Sequence, residues 1–239
     1  MNKDCNIIFT HKDITCPAGY EIIDNRKSDL DHRLWSEIAG MKILYDRIKR
    51  MEDDARNGNK VEEIPEWINL NHYRRMFNKD CYHRVYVAQP LVFQCTLAQH
   101  YQHFHNIKDL SLCGEALKET FPHLVPTFEM VLNRNILIPY IIGIMTTGQF
   151  MDYFTFLYTV LNKTLEKMNC KTYEEIMERI KTVEGYNIDV SGRDNKPEYQ
   201  VRILSFLAER LATLYWTHCS QQLAVFPAKV NLLEKGMSI

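Results

Sequence analysis

Three short polar segments directly follow predicted strands, at the positions where open α/β sheets bind their ligands. The strands are predicted at residues 6–10, 20–24 and 66–72, and the segments are Thr10-His11-Lys12, Asp24-Asn25 and His72-Tyr73-Arg74-Arg75. Strand ends also carry polar side chains because they are exposed to water. Placement alone therefore leaves a ligand site and simple exposure as equal alternatives for each segment.

Arg74 and Arg75 have the chemistry that binding of a phosphate or diphosphate requires. A guanidinium is permanently charged and donates hydrogen bonds in a planar fork that matches phosphate oxygens. His72 could add a third donor or bind a metal. The alternative is a solvated turn in which the arginines make an incidental ion pair, and the local sequence by itself favours that alternative.

The sequence contains no strong metal-binding or redox motif. His100, His103 and His105 do not share one helix face, and a zinc site needs a ligand geometry that this spacing does not supply. The seven cysteines are scattered and include no Cys-x-x-Cys pair, which is typical of free thiols in a reducing compartment.

Composition limits the classes of partner. The 239-residue chain has a net charge of −1, so no bulk attraction draws it to nucleic acid. No apolar run reaches the roughly 20 residues that a membrane-spanning helix needs, and the polar first residues do not resemble a signal peptide. We therefore expect a soluble cytoplasmic protein that can associate peripherally with the inner face of a membrane.

Hydrophobic periodicity predicts the elements that must position the polar segments. A helix is predicted from Ser28 to about Arg50, with one apolar stripe at Leu30, Leu34, Ile38, Met41, Tyr45 and Ile48. A strand is predicted at 85–88, helices at about 94–105 and 111–121, and an extended segment at 136–145. Further apolar stripes predict helices after residue 150, separated by a turn-rich loop at 191–197. This order indicates a single α/β domain over residues 1–239.

The segment Asn71–Phe77 resembles the HYRR motif of a glycosyltransferase family of bacterial capsular polysaccharide and exopolysaccharide synthesis, first catalogued as a domain of unknown function. Further landmarks of that family occur in order along nearly the whole chain. They are Thr10-His11-Lys12 with Pro17 and Tyr20, Asp24-Asn25, Glu37, Tyr101 with His105, Asp109 and Leu110, Phe121-Pro122, Phe150 with Tyr153, and Ala208-Glu209-Arg210-Leu211.

The resemblance implies a GT-A-like, Rossmann-like nucleotide-sugar transferase fold with extra C-terminal helices. It implies transfer of a sugar from a nucleotide diphosphate sugar to a glycan or a lipid-linked acceptor. The substrate-binding residues expected from it are Thr10, His11, Lys12, Asp24 and Asn25 on the nucleotide side, His72, Tyr73, Arg74 and Arg75 on the diphosphate side, and His105 with Asp109.

Enzymes of this type neutralise a diphosphate leaving group with a divalent metal, manganese or magnesium, or with cationic side chains. The metal is usually held by an Asp-x-Asp motif after a strand, whereas Asp29-Leu30-Asp31 is predicted at a helix start. The resemblance therefore leaves open whether this chain uses a metal.

Glu209 is the candidate catalytic base if the reaction inverts the anomeric centre. Its neighbours Phe206 and Leu207 place it near the buried face of a predicted helix, where burial without a partner would raise its pKa. The alternative, which we favour slightly from sequence, is an internal ion pair between Glu209 and Arg210.

Departures from the family pattern motivate a second functional class. His32, Lys42 and Ile141-Ile142 replace residues that are usual in the family. A non-catalytic relative that binds a nucleotide or glycan, or that scaffolds a polysaccharide-synthesis complex, would tolerate such changes. An unrelated enzyme that acts on phosphate esters through the same basic segment is a third alternative.

Overall fold

The computed structural model of the protein describes residues 4–59, 63–77, 84–186 and 196–232. Most of the predicted loop at 191–197 lies outside these residues. The strands are β1 (Asp4–Thr10), β2 (Glu21–Asp24), β3 (Trp67–His72), β4 (Arg75–Phe77), β5 (Val85–Ala88), β6 (Leu91–Val92), β7 (Ile136–Leu137), β8 (Gly143–Thr146), β9 (Val225–Ala228) and β10 (Val230–Leu232). The helices are α1 (His32–Trp35), α2 (Glu37–Arg56), α3 (Leu97–Phe104), α4 (Ile107–Thr120), α5 (Val125–Leu132), α6 (Thr147–Met168), α7 (Tyr173–Thr182), α8 (Pro197–Gln200) and α9 (Ile203–Cys219).

A parallel trio of strands brings the three polar segments to one edge of the sheet. β1 lies between β2 and β3 and runs parallel to both. Thr10 is in register with Asp24, and Phe9 is in register with His72. The carboxyl ends of all three strands therefore open on the same side, as the sequence predicts.

The rest of the main sheet is antiparallel next to the trio and parallel again at its far side. β8 pairs antiparallel with β3 and with β5, and β5 pairs parallel with β9. β4 turns back from β3 and pairs with β10. The two C-terminal strands are absent from the sequence prediction, because each is short and acquires its partner only through the tertiary fold.

The predicted helix after Ser28 is wrong at both ends. Leu30 precedes the helix, and Ser36 divides the helical stretch into α1 and α2 with φ +49° and ψ −125°. The apolar stripe nevertheless continues across the break, so periodicity alone does not reveal it. α2 also continues to Arg56, because its charged last turns remain helical at the surface and include an Arg56–Asp53 ion pair of 2.6 Å.

The predicted extended segment at 136–145 is two strands in different sheets. β7 pairs with β6 in a separate two-stranded sheet, whereas β8 enters the main sheet. Between them the chain turns at Tyr140, which has φ +65°. Pro139 directly precedes this turn, and a proline within an extended segment favours a bend.

The helices bury their apolar stripes against one another and against the sheet. α4 packs on α6, α5 and α6 pack on α9, and α2 packs on α6 and β1. Aromatic side chains of α6, including Phe150, Tyr153 and Phe154, lie in the same core as Trp216 of α9. Among the described residues, no helix combines the length and apolar character that crossing a bilayer requires.

α2 approaches the sheet closely at Gly40, and we expect this contact to limit substitution. A Cβ at residue 40 would overlap Oδ1 of Asn25 and approach Cδ1 of Phe9 to 2.5 Å. Gly40→Ala should lower the free energy of unfolding by about 1–3 kcal/mol, the usual cost of overpacking a core. Chemical denaturation measures this loss.

Gly148→Ala is the matched control, since no atom lies within 4 Å of a Cβ built there in α6. It should be neutral or stabilising by up to about 1 kcal/mol, because alanine loses less chain entropy in a helix. Equal destabilisation by both variants would contradict the close approach at Gly40.

Candidate functional site

A cavity of about 350 Å³ lies beside the carboxyl ends of the parallel strands. Its walls come from the start of α2, the turn between β3 and β4, the bend before β8, the end of α3, and α8 with α9. The lining residues are Trp35, Glu37, Ile38, His72, Arg75, His100, Phe104, His105, Tyr140, Ile141, Ile142, Tyr199, Arg202, Ser205, Phe206, Glu209 and Arg210.

His72 is held in the cavity wall by two hydrogen bonds that define its tautomer. Nδ1 accepts from the backbone N–H of Arg74 at 3.2 Å, so the ring proton on Nε2 points to Oε1 of Glu37 at 3.2 Å. Burial raises the pKa of Glu37, but the hydrogen bond from His72 and the charge of Arg202 outweigh it and lower the pKa to about 2. Glu37 is therefore ionised at neutral pH.

Arg75 and Arg202 bring positive charge to the cavity without a direct ion pair. In the described part of the chain, no Asp or Glu oxygen lies within 4.0 Å of either guanidinium or of Arg74. Arg75 instead stacks on the ring of Tyr140, with its guanidinium carbon 4.1 Å from the ring centroid, and its buried Nε lacks a hydrogen-bond partner. A guanidinium that lines a cavity without a direct ion pair is suited to an anionic ligand.

Glu209 lies on the same wall, and neighbouring groups partly compensate the negative charge of its carboxylate. Oε1 accepts from the backbone N–H of Tyr140 at 3.0 Å, and Oε2 lies 3.4 Å from Nη1 of Arg210. Burial raises the pKa of Glu209, although Arg210, the Tyr140 N–H and Arg75 oppose the rise. Glu209 thus pairs with Arg210 and also lines the cavity, and its role as a catalytic base stays a prediction.

Two strained backbone positions lie at this cavity. Of the three non-glycine residues with positive φ in the described ranges, Asn169 ends a helix, whereas Ser36 and Tyr140 border the cavity. The hydroxyl of Ser36 bonds that of Ser205 at 2.8 Å across α2 and α9. Strain of this kind costs about 1–3 kcal/mol per residue and is concentrated at functional sites.

Only some of the residues expected to bind the nucleotide line a depression. Thr10, Lys12 and Asp24 line a second depression of about 380 Å³ at the ends of β1 and β2. The Asp24 carboxylate is already paired with Arg26 at 2.8 Å, an ion pair that lowers the pKa of Asp24. Asn25 is buried against Gly40 and lies outside both the depression and the cavity.

Tyr73 connects the two depressions. Its ring meets His11 edge-on at 5.4 Å and packs beside His72 at 4.2 Å between centroids. The Nζ of Lys12 and the guanidinium carbon of Arg74 lie 5.6 and 5.1 Å from the same ring. The first and third polar segments of the sequence therefore form one continuous surface.

The structure separates His105 from Asp109, which the resemblance implied as joint substrate-binding residues. His105 lines the cavity. The buried carboxylate of Asp109 instead accepts from Arg179 at 3.0 Å and from the Tyr186 hydroxyl at 2.6 Å. These bonds connect α4 to α7 and the chain after it, so the geometry gives Asp109 a structural task away from the cavity.

The cavity fits cationic neutralisation of an anion better than a metal site. Among the described residues, no three His, Cys, Asp or Glu side chains converge on one point. His100 bonds Arg210, His105 bonds Gln200, and Glu37 bonds His72. A manganese or magnesium ion therefore has no evident ligand set there.

Several cavity residues were not foreseen from the sequence. Arg202, Tyr140 and Ser205 carry no motif, and Trp35 reads as an ordinary helix residue. Glu37 was noted only as a family landmark. The one usable signal was Pro139, which marks a bend next to Tyr140.

Comparisons with known proteins agree with the expected fold. A family model described as a domain of unknown function, DUF4422, matches residues 82–186, and no curated protein matches the chain. The solved structure "WbbM bifunctional glycosytransferase apo structure" superposes with a TM-score of 0.71 at 12% identity, covering 98% of this chain and 46% of that one. The GT-A-like α/β fold is thereby confirmed.

These similarities stop short of a family assignment. The chain spans slightly under half the length of the solved glycosyltransferase, and at 12% identity the likeness concerns the fold alone. The family model begins at residue 82, after the HYRR segment. Membership of the HYRR family therefore stays a prediction.

The strain at Ser36 can be measured with a pair of variants. Ser36→Gly and Ser36→Ala both lose the hydrogen bond to Ser205, but only glycine adopts φ +49° and ψ −125° without a steric penalty. Ser36→Gly should therefore be more stable than Ser36→Ala by about 1–2 kcal/mol. Equal free energies of unfolding for the two variants would show that the backbone at residue 36 is unstrained.

Proposed function

We propose that this chain is a glycosyltransferase that moves a sugar from a nucleotide diphosphate sugar to a glycan or lipid-linked acceptor. The observation that carries the proposal is the presence, in one cavity, of Arg75 and Arg202, which make no direct ion pair, together with the half-buried carboxylate of Glu209. We further propose a single domain over residues 1–239, acting in capsule or exopolysaccharide synthesis at the cytoplasmic face of the membrane.

The two arginines have a defined task when the donor is cleaved. As the bond between the anomeric carbon and the phosphate oxygen breaks, negative charge collects on the diphosphate. Arg75 at the β3–β4 turn and Arg202 at the start of α9 would stabilise this charge by charge-assisted hydrogen bonds. Tyr140 holds the Arg75 guanidinium in place by its ring contact of 4.1 Å.

Glu209 is the base that this arrangement favours. In an inverting transfer, the acceptor hydroxyl loses its proton to the carboxylate while its oxygen forms the new bond to the anomeric carbon. The raised pKa of Glu209 makes the carboxylate a stronger proton acceptor at neutral pH. The nucleoside would lie toward Thr10 and Lys12 in the adjoining depression.

Binding of diphosphates tests the role of the arginines. Isothermal titration with uridine, guanosine, thymidine and cytidine diphosphates should detect saturable binding of one or more, and Arg75→Ala should weaken it about 10–100-fold. Arg84→Ala is the matched control, because Arg84 also stacks on an aromatic ring, Phe226 at 5.3 Å, but lies outside the cavity. Unchanged diphosphate affinity of Arg75→Ala would exclude the assignment.

The pH dependence of transfer tests Glu209. Since a base must be deprotonated, the rate should fall as pH decreases through the raised pKa of Glu209. Glu209→Gln should lower kcat about 10²–10⁴-fold and remove that acidic limb, with diphosphate affinity retained. Release of nucleoside diphosphate from the sugar nucleotides provides the assay.

The same assay separates the competing functions. Diphosphate binding without turnover of any nucleotide sugar would favour a non-catalytic nucleotide-binding protein. Hydrolysis of simple phosphate esters, without preference for sugar nucleotides, would favour an unrelated phosphate-ester enzyme.

A further inference from the structure

One part of the cavity wall is built from aromatic and imidazole rings. His100, Phe104 and His105 come from the end of α3, and Tyr199 and Phe206 come from α8 and α9. Phe104 lies between the two histidines, with centroid distances of 5.1 Å to His100 and 6.4 Å to His105. Its side chain is unusually open for a large apolar group, with 39% of the residue exposed.

Arg210 determines which nitrogen of His100 carries the proton. The guanidinium Nη2 lies 3.0 Å from Nδ1 of His100. A guanidinium has only donors, so Nδ1 must accept, and the ring proton lies on Nε2. Burial and the charge of Arg210 both lower the pKa of His100, which keeps the ring neutral. His100 therefore offers one N–H donor at the cavity.

Gln200 determines the opposite tautomer for His105. The Gln200 amide nitrogen donates to the backbone oxygen of Phe104 at 2.9 Å, so its Oε1 must be the atom 3.0 Å from Nδ1 of His105. Nδ1 therefore carries the proton, and Nε2 is left as an acceptor. Burial lowers the pKa of His105 to about 4, so the ring is neutral at pH 7. Phe206 stacks on it at 3.9 Å.

This arrangement matches the chemistry of a neutral sugar ring. A sugar hydroxyl can both accept and donate a hydrogen bond. Nε2–H of His100 can donate to such a hydroxyl, and Nε2 of His105 can accept from one. Neither Nε2 atom has a hydrogen-bond partner among the described residues. Neither is fully buried, so both are accessible from the cavity. The apolar face of a sugar can cover the open ring of Phe104.

We propose that His100, Phe104 and His105 form a subsite for a neutral sugar, the terminal ring of the acceptor. The proposal rests on the proposed glycosyl transfer for the identity of that sugar. Arg210 supports the acceptor over the donor, since it touches both Glu209 at 3.4 Å and His100 at 3.0 Å. His100 and the proposed base therefore contact the two Nη atoms of one guanidinium.

Saturation-transfer NMR with methyl glycosides of glucose, galactose, mannose and rhamnose tests the subsite without knowledge of the natural acceptor. Wild-type protein with bound nucleoside diphosphate should transfer magnetisation to at least one glycoside. His105→Asn keeps a donor for Gln200 but removes the Nε2 acceptor, and we expect about tenfold weaker glycoside binding. Phe104→Ala should have a similar effect.

His103→Asn is the matched control, because His103 lies on the exposed face of the same helix and does not line the cavity. It should bind glycosides as the wild type does, and circular dichroism with thermal unfolding checks that each variant is folded. Wild-type protein that binds no glycoside, or folded His105→Asn and Phe104→Ala variants with wild-type affinity, would overturn the subsite.

Further measurements distinguish a donor sugar from an acceptor sugar in the subsite. They also separate the subsite proposal from the proposed glycosyl transfer. If His105→Asn weakens nucleotide-sugar binding while nucleoside diphosphate binding is unchanged, the subsite holds the donor sugar, and its assignment to the acceptor is wrong. Glycoside binding that depends on His105, in a protein that turns over no nucleotide sugar, would support the subsite and contradict the proposed transfer. Normal transfer kinetics, including acceptor KM, in His105→Asn would contradict the subsite alone.

Discussion

A half-buried carboxylate needs hydrogen-bond donors, and the contacts by which Glu209 obtains them connect the elements of the candidate site. One oxygen accepts from the backbone N–H of Tyr140, and the other faces Arg210. The first bond holds the bend before β8 at a positive φ that a tyrosine rarely adopts. The Tyr140 ring then supports Arg75, so one carboxylate connects the helix α9 to the turn that carries the phosphate-binding candidate.

The cavity combines cationic side chains with neutral hydrogen-bonding groups. Glu37 lies 3.2 Å from Nε2 of His72, while Arg75 and Arg202 have no carboxylate partner within 4.0 Å among the described residues. Near the end of α3, Arg210 and Gln200 select neutral tautomers of His100 and His105. Arg202 lies 6.0 Å from the ring of Phe206, so the cationic and the neutral groups adjoin.

The rigid packing around Ser36 maintains its strained backbone conformation. Ser36 joins α1 to α2 beneath the cavity, and its hydroxyl is tied to Ser205 of α9. α2 is itself pressed against β1 at Gly40, where no side chain fits. A backbone that is fixed on both sides can hold an unfavourable conformation, because relaxing it would disturb the packed core.

The sequence by itself determined the local features of this protein. Its apolar periodicities predicted most helices, and its short strands with polar ends predicted that Thr10, Asp24 and His72 share one edge of an α/β sheet. These features are local, since they depend on residues within a few positions of one another. Only the tertiary structure decided that Arg202 and Glu209 face Arg75, that Asp109 pairs away from the cavity, and that Tyr140 turns the chain. Such contacts join residues more than sixty positions apart or depend on how helices pack, and no spacing along the chain encodes them.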